Sequence, residues 1–325
     1  MATIFDTPPI VVQDELTRLK ASLDVKIPSK IADKNLLIAT WNIRSFSSLT
    51  REWDSGTKSP KRDLRALRAI SEIISRFDVI AIQEVMGNLR ALRDMMAFLG
   101  EEWSFIMTDI TMGDAGNKER MAYIYHNTRV HISGLACEIV IPPEWLGEIG
   151  ADALTRQFSR TPYAVSFKAG NKTFILLTTH VIYGDNSADR VPELKAIARW
   201  MYDWAKKSNR WHHNLLALGD FNIDRKGDDL WESFVSTGLT VPDHLHEVPR
   251  TIFASKSSPQ KDKFYDQIAW FTTKSGKKKI NMEYIQGGHF DFMPFVFKEK
   301  NLSKNSISFR LSDHFPLWVE FSIED

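Results

Sequence analysis

"LLALGDFNID", residues 215–224, decides how the rest of the chain is read. Five residues suited to a buried strand, Leu215 to Gly219, run directly into Asp220, Phe221, Asn222 and Asp224. A short apolar run closed by polar turn formers reads as a strand covered on both faces. Its end is ambiguous on its own. Aspartate and asparagine hydrogen-bond their own backbone in turns, so a turn explains the motif as well as a site does.

The same kind of ending recurs along the chain. "LLIATWN" ends at Asn42, "DVIAIQE" at Glu84 and "FILLTTH" at His180, while "YDQIAWF" opens at Asp266 and "LSDHFPLWVEF" carries Asp313 and His314. Singly, each has a bland explanation as a cap, a turn or a satisfied core histidine. As a set they point to convergence around a cation, because buried carboxylates without partners are costly. Carboxylates and amides without cysteine favour Mg²⁺, with Mn²⁺ or Ca²⁺ as alternatives, over zinc. Two histidines beside such a cluster suit proton transfer rather than metal binding. Together these groups fit cleavage of a phosphoester.

The whole chain is compatible with that chemistry. Its 325 residues are 43% hydrophobic and 26% charged, the composition of a globular protein with a sizeable core. The formal net charge is only +1, so any contact with a polyanion has to be local. Cys137 is the single cysteine, which excludes an intrachain disulfide and a multi-cysteine zinc site; its flank "GLACEIVI" suggests a buried structural thiol. The N-terminus lacks the basic and apolar regions of a signal peptide, and no apolar run approaches the ~20 residues that span a bilayer. The expected location is the cytoplasm, with no membrane partner.

Periodicity organises the rest. "QDELTRLKASLD" places Leu16, Leu19 and Leu23 on one face of a short amphipathic helix, so residues 1–34 read as an N-terminal extension without a catalytic role. Residues 35–325 then read as one domain of strands interleaved with helices. The helices are "RDLRALRAISEIISRF", "NLRALRDMMAFLG", closed by Gly100, and "PELKAIARWMYDWAKK"; a hairpin turns at "AGNK". This alternation predicts an α/β fold of two mixed sheets packed face to face and flanked by helices. Residues 141–161 and 240–263 read as long loops. Of two basic runs, "TKSGKKK" (Lys274 and Lys277 to Lys279) reads as a solvated face. "KSPKRDLRALR", with Lys58, Lys61, Arg62, Arg65 and Arg68, is the better candidate for polyanion contact.

The ordered set "WNIRSF", "IQEV", "NKER", "FSRTP", "TTH", "GDFNID", "YDQI" and "SDHFPL" resembles the endonuclease/exonuclease/phosphatase superfamily, and within it the deoxyribonuclease I-like branch, over about residues 36–322. The resemblance implies a four-layer α/β sandwich and a metal-dependent nuclease that leaves 5′-phosphate and 3′-hydroxyl ends, with DNA as the expected partner. It implies that Glu84, with Asn42 nearby and Asp313 as an additional ligand, holds the divalent ion. His180 would pair with Glu119, and His314 with Asp266. Asp220 and Asn222 would orient the attacking water, and Arg160 would contact a substrate phosphate. The sequence departs from that branch at Met86 and Asn117, where an arginine and a tyrosine reach the duplex minor groove. The alternative reading is a phosphatase or phosphodiesterase of the same superfamily acting on a phospholipid head group or another small phosphoester. A non-catalytic relative is disfavoured by the presence of both dyads, Glu84, Asp220 and Asn222.

Overall fold

The computed structural model describes residues 2–110, 118–146, 157–206, 214–255, 262–272 and 280–324. Its frame uses one strand–helix–strand unit twice. β1 (Asn35–Phe46) crosses through α2 (Leu64–Ile74) to a parallel β2 (Val79–Met86). β7 (Lys172–His180) crosses through α5 (Val191–Lys206) to a parallel β8 (Leu215–Asp220). Parallel neighbours need such a crossover, whereas the remaining pairs are antiparallel and need only turns or loops. One sheet has β11 (Glu283–His289) and β12 (Leu317–Ser322) before β1 and β2, then β4 (Glu119–His126) and β3 (Trp103–Met107). The other has β5 (His131–Glu138) and β6 (Tyr163–Ala169) before β7 and β8, then β10 (Asp266–Phe271) and β9 (Leu239–Thr240). The expected pair of mixed sheets, flanked by helices, is therefore present.

Strand alternation divides the apolar residues between two cores. Along β1, Leu36 and Ile38 join the core between the sheets, whereas Leu37, Ala39 and Trp41 face the core under the helices. The same period carries Thr40 and Asn42 to the inter-sheet side. Gln83 of β2 bridges there, donating to Thr40 Oγ1 at 3.1 Å and to Thr178 Oγ1 of β7 at 2.9 Å. On the first sheet's outer side lie α1 (Ile10–Lys26), α2 and α3 (Arg90–Leu99); α5 and α6 (Asp229–Val235) cover the second. Two short helices remain, α4 (Pro143–Leu146) and α7 (Lys304–Ser308).

The N-terminal extension docks on this body. α1 buries Val12, Leu16, Leu19 and Leu23, and it carries a fully buried Glu15 that receives Arg65 Nε at 2.9 Å and the Phe297 N–H. This removes Arg62 and Arg65 of the first basic run from any polyanion surface, because both are buried. Arg65 is buried between Glu15 and Glu299, Arg68 pairs with Glu72 at 3.1 Å, and Lys58 pairs with Glu52. Arg62 donates to the carbonyls of Arg44, Ser45, Arg310 and Leu311 at 2.6–3.0 Å, stitching the loop after β1 to the segment before β12. Asn117, residues 147–156 and the second basic run lie outside the described residues. β3 and β11, neither of them anticipated, complete one sheet at its two edges.

Gly219 sets the contact between the two parallel strands of the second sheet. Its φ is +142°, and a Cβ there would collide with the carbonyl oxygen of Thr179 on β7. Gly219→Ala is therefore expected to force β7 and β8 apart and to cost about 3 kcal/mol or more. Chemical denaturation would read this; a cost under about 1 kcal/mol would mean that the strands adjust without strain.

Candidate active site

All ten anticipated site residues fall at one edge of the sandwich, and topology explains why. The parallel strands β1, β2, β7 and β8 end there, delivering Asn42, Glu84, His180 and Asp220. The antiparallel strands β4 and β10 begin there, with Glu119 and Asp266, and Asp313 and His314 lie just before β12. Ligand sites form at the carboxyl ends of parallel strands because the chain leaves the sheet there with its polar groups unpaired. Register then aligns the acids: His180 is level with Asp220 across β7–β8, and Asp220 is level with Asp266 across β8–β10.

Two carboxylate–imidazole pairs result. His180 Nδ1 lies 2.9 Å from Glu119 Oε2, and His314 Nδ1 lies 2.7 Å from Asp266 Oδ2. An ionised carboxylate only accepts, so each Nδ1 carries a proton and each Nε2 is left facing Asp220. Both Nε2 atoms approach Asp220 Oδ2, at 3.6 Å from His180 and 3.8 Å from His314, too far for a direct hydrogen bond. Asp220 is thus the hub between the dyads. Its Oδ2 also accepts from Asn42 Nδ2 at 2.9 Å, and its Oδ1 from the Asn222 N–H at 2.9 Å. Asn222 adopts φ +50°, a conformation asparagine tolerates, and its amide donates to the Val181 carbonyl at 2.7 Å.

The electrostatics follow from burial and charge. Burial opposes the charged form of His180, but Glu119 and Asp220 outweigh it and raise the pKa above the ordinary value. Burial likewise opposes charge on His314, yet Asp266 and Asp220 lift it well above the usual range. Burial pushes Asp266 up to about 6 despite the imidazole beside it. For Asp220 and Glu119 burial acts upward too, but the histidines and hydrogen-bond donors around them win and hold both carboxyls below their ordinary values.

The remaining anticipated residues surround this centre. Arg160 is buried, with Nε on Glu119 and Nη1 directed at the carbonyls of Val181, at 3.3 Å, and His180, at 3.5 Å. Glu84 sits in a bulge of β2 at φ +61°, a strained conformation for this residue, and accepts from the Ser45 N–H at 2.7 Å. Asp313 is partly exposed, 3.9 Å from Arg44 Nη1. Asn42 Oδ1 is buried with no hydrogen-bond partner among the described residues, an orphaned hard oxygen beside a carboxylate-bearing strand end. Asp220, Asp266 and His314 also bring ligand atoms within 4.8 Å of one another, a second group of donors distinct from the expected set of Glu84, Asn42 and Asp313. The residues present therefore fit a hard ion.

Several supports were not foreseen. The Ser312 hydroxyl donates to the Asn42 carbonyl at 2.6 Å and accepts from the His314 N–H at 3.0 Å, joining the two halves of the site. The fully buried Arg250 donates to the Asp266 carbonyl at 2.7 Å, and Tyr265 stacks on His314 at 5.6 Å. Ser312 and Tyr265 stand inside the motifs "SDHFPL" and "KFYDQI", so their position next to a dyad member was the available signal. Asp224, the last acid of the motif, receives Arg190 at 3.1 Å and Lys263 at 2.6 Å. Cys137 is half-buried on β5 rather than in the core, and burial raises its pKa.

Comparison with known proteins identifies the family to which this fold and site belong. The chain belongs to the Endonuclease/Exonuclease/phosphatase family, whose family model matches residues 39–279. A protein named deoxyribonuclease from Thioalkalivibrio sp. (strain K90mix) is 30% identical over 217 residues, covering 65% of this chain and 52% of that protein. The chain spans about half the length of the curated relatives it matches. Among solved structures, an endonuclease/exonuclease/phosphatase family protein from Bacteroides thetaiotaomicron aligns with a TM-score of 0.57 at 19% identity, over 90% of this chain and 95% of that one. A mannosyl-6-phosphatase from the same organism aligns with a TM-score of 0.56 at 17% identity, over 88% and 99%. These last two establish the shared fold. Among the described residues no helix is long and apolar enough to cross a membrane.

Proposed function

We propose that the protein is a divalent-metal-dependent nuclease that hydrolyses phosphodiester bonds of DNA to 5′-phosphate and 3′-hydroxyl ends. The observation that carries this reading is the pair of carboxylate–histidine dyads facing one carboxylate, Asp220. Hydrolysis needs a base on one side of phosphorus and an acid on the other, and the two Nε2 atoms are positioned for those tasks. One imidazole takes the proton of the attacking water as the oxygen–phosphorus bond forms. The other gives its proton to the 3′ oxygen as that bond breaks. Asp220, held by Asn42 and Asn222, orients the water and stabilises whichever imidazole is charged. Arg160 adds positive charge behind Glu119 and His180. Glu84, Asn42 and Asp313 would hold Mg²⁺, with Mn²⁺ or Ca²⁺ as substitutes, and such an ion supplies neutralisation of the phosphoryl oxygens.

The reading is supported by the relative named deoxyribonuclease, whereas the phosphatase of like fold marks the alternative of a small phosphoester. A panel of labelled duplex DNA, single-stranded DNA, RNA and sugar and lipid phosphates, each with Mg²⁺, Mn²⁺ or EDTA, separates them. DNA cleavage that stops in EDTA is expected. Release of phosphate from a small ester, with every nucleic acid left intact, would overturn the nuclease reading. Glu84→Gln should raise the Mg²⁺ concentration needed for half-maximal rate by about 10- to 100-fold. An unchanged metal titration would remove Glu84 from the ligand set.

A further inference from the structure

Two exposed aromatic rings flank the site, and each is built differently from an incidental surface residue. Tyr183 lies three residues beyond His180 and is 52% exposed. Beneath it sits the buried Arg190, whose guanidinium lies 4.3 Å from the ring centroid. That guanidinium is locked by the carbonyls of Tyr183, at 2.6 Å, and Asn222, at 2.8 Å, and by Asp224. Tyr265 meets the edge of Tyr183 at 6.5 Å and itself stacks on His314, so one aromatic path runs from the exposed ring to the imidazole. Just beyond α7, Phe309 is 47% exposed and carries at 4.0 Å the guanidinium of Arg44, which projects from β1 of the first sheet. Arg44 is fixed by Ser308 Oγ at 2.7 Å and stands two residues beyond Asn42.

Single exposed aromatics are common and ordinarily need no explanation. Here each ring is pinned by an arginine, and each is linked to the site: Tyr183 through Tyr265 to His314, and Phe309 through Arg44, which lies 3.9 Å from Asp313. Open rings held rigid by the arginines against them suit a nucleic-acid strand whose base faces are accessible. A duplex keeps those faces stacked inside the helix and offers mainly phosphates to the same surface. We propose that the substrate binds as a single, unstacked strand, with Tyr183 and Phe309 as base-stacking stations on either side of the scissile phosphate. This deepens the nuclease reading above and rests on it.

The test uses the full chain and a fluorescein-labelled 12-residue DNA, as a single strand and as a blunt duplex. Anisotropy is measured in EDTA and cleavage in Mg²⁺. The single strand is expected to bind more tightly and to be cut faster. Tyr183→Ala and Phe309→Ala should each weaken single-strand binding by roughly 5- to 100-fold, the effect of losing one stacked base, with little change on duplex. Tyr183→Phe should retain affinity. A strand with abasic positions flanking the central phosphate should bind the unaltered protein and the Tyr183→Ala variant alike. Equal affinity for both DNA forms, with the alanine variants unaffected, would overturn the proposal even if DNA is cut. Ring-dependent single-strand binding without any cleavage would uphold the stacking stations and overturn the hydrolytic reading alone.

Discussion

Asp220→Asn is expected to lower kcat/KM on DNA by about 10⁴-fold while the fold is retained, because one carboxylate serves both proton-transfer groups. The amide keeps the shape of the side chain and an acceptor for the Asn222 N–H. It removes the negative charge that both imidazoles face. Activity requires one imidazole neutral and the other protonated, so the rate should rise with pH through the lower histidine pKa and fall through the higher. Asp220 raises both values. Its loss should therefore move both limbs of the pH profile toward acid. A variant with a tenth of the original activity, or with unmoved limbs, would remove Asp220 from the centre of the mechanism. The same shifts bear on stability. The raised histidines stabilise the fold fully below their unfolded pKa of about 6.5, and that contribution is lost as pH rises through the folded values. The depressed Asp220 and Glu119 contribute above about pH 4, and that is lost as pH falls through their folded values.

Arg65→Ala should destabilise the protein by about 3–5 kcal/mol, since it strands a buried carboxylate. Glu15 is fully buried on α1, and the guanidinium that neutralises it also contacts Glu299 at 2.9 Å and lies 4.4 Å over the Phe297 ring. Without Arg65, burying the charge of Glu15 opposes the apolar docking of α1. Urea denaturation would measure the loss. The double replacement Glu15→Gln with Arg65→Met is expected to recover most of it, because no charge then remains to be solvated. A loss under about 1 kcal/mol for the single variant would mean that α1 releases independently of the body.

The strands that form the site were legible because each is an apolar run ending in an ionisable or amide side chain, as "FILLTTH" and "LLALGDF" show. β11, "EYIQGGH", was not, because it is an edge strand with exposed positions and two glycines, and its alternation is weak. β3 is a five-residue edge strand whose residues are all at least partly exposed. The basic run at 58–68 was misread for a different reason. Sequence shows that Arg62 and Arg65 are charged but not that Glu15, Glu299 and several carbonyls converge on them from segments up to about 250 positions away. The ion pairs of Asp224 are hidden from sequence for the same reason, because Arg190 and Lys263 reach it from elsewhere in the chain.

The bond from Asn42 to Asp220 joins a strand end of one sheet to a strand end of the other. Neither sheet owns a complete catalytic centre. Under the proposed hydrolysis, turnover would report how far one sheet has slid against its partner, since a displacement near 1 Å in such geometry is enough to cost about 10²-fold in rate. The apolar interior between the sheets thus acts as the alignment gauge of the chemistry. A substitution deep in that interior, such as at Phe167 or Phe174, would be felt first as lost turnover in a protein that still melts cooperatively.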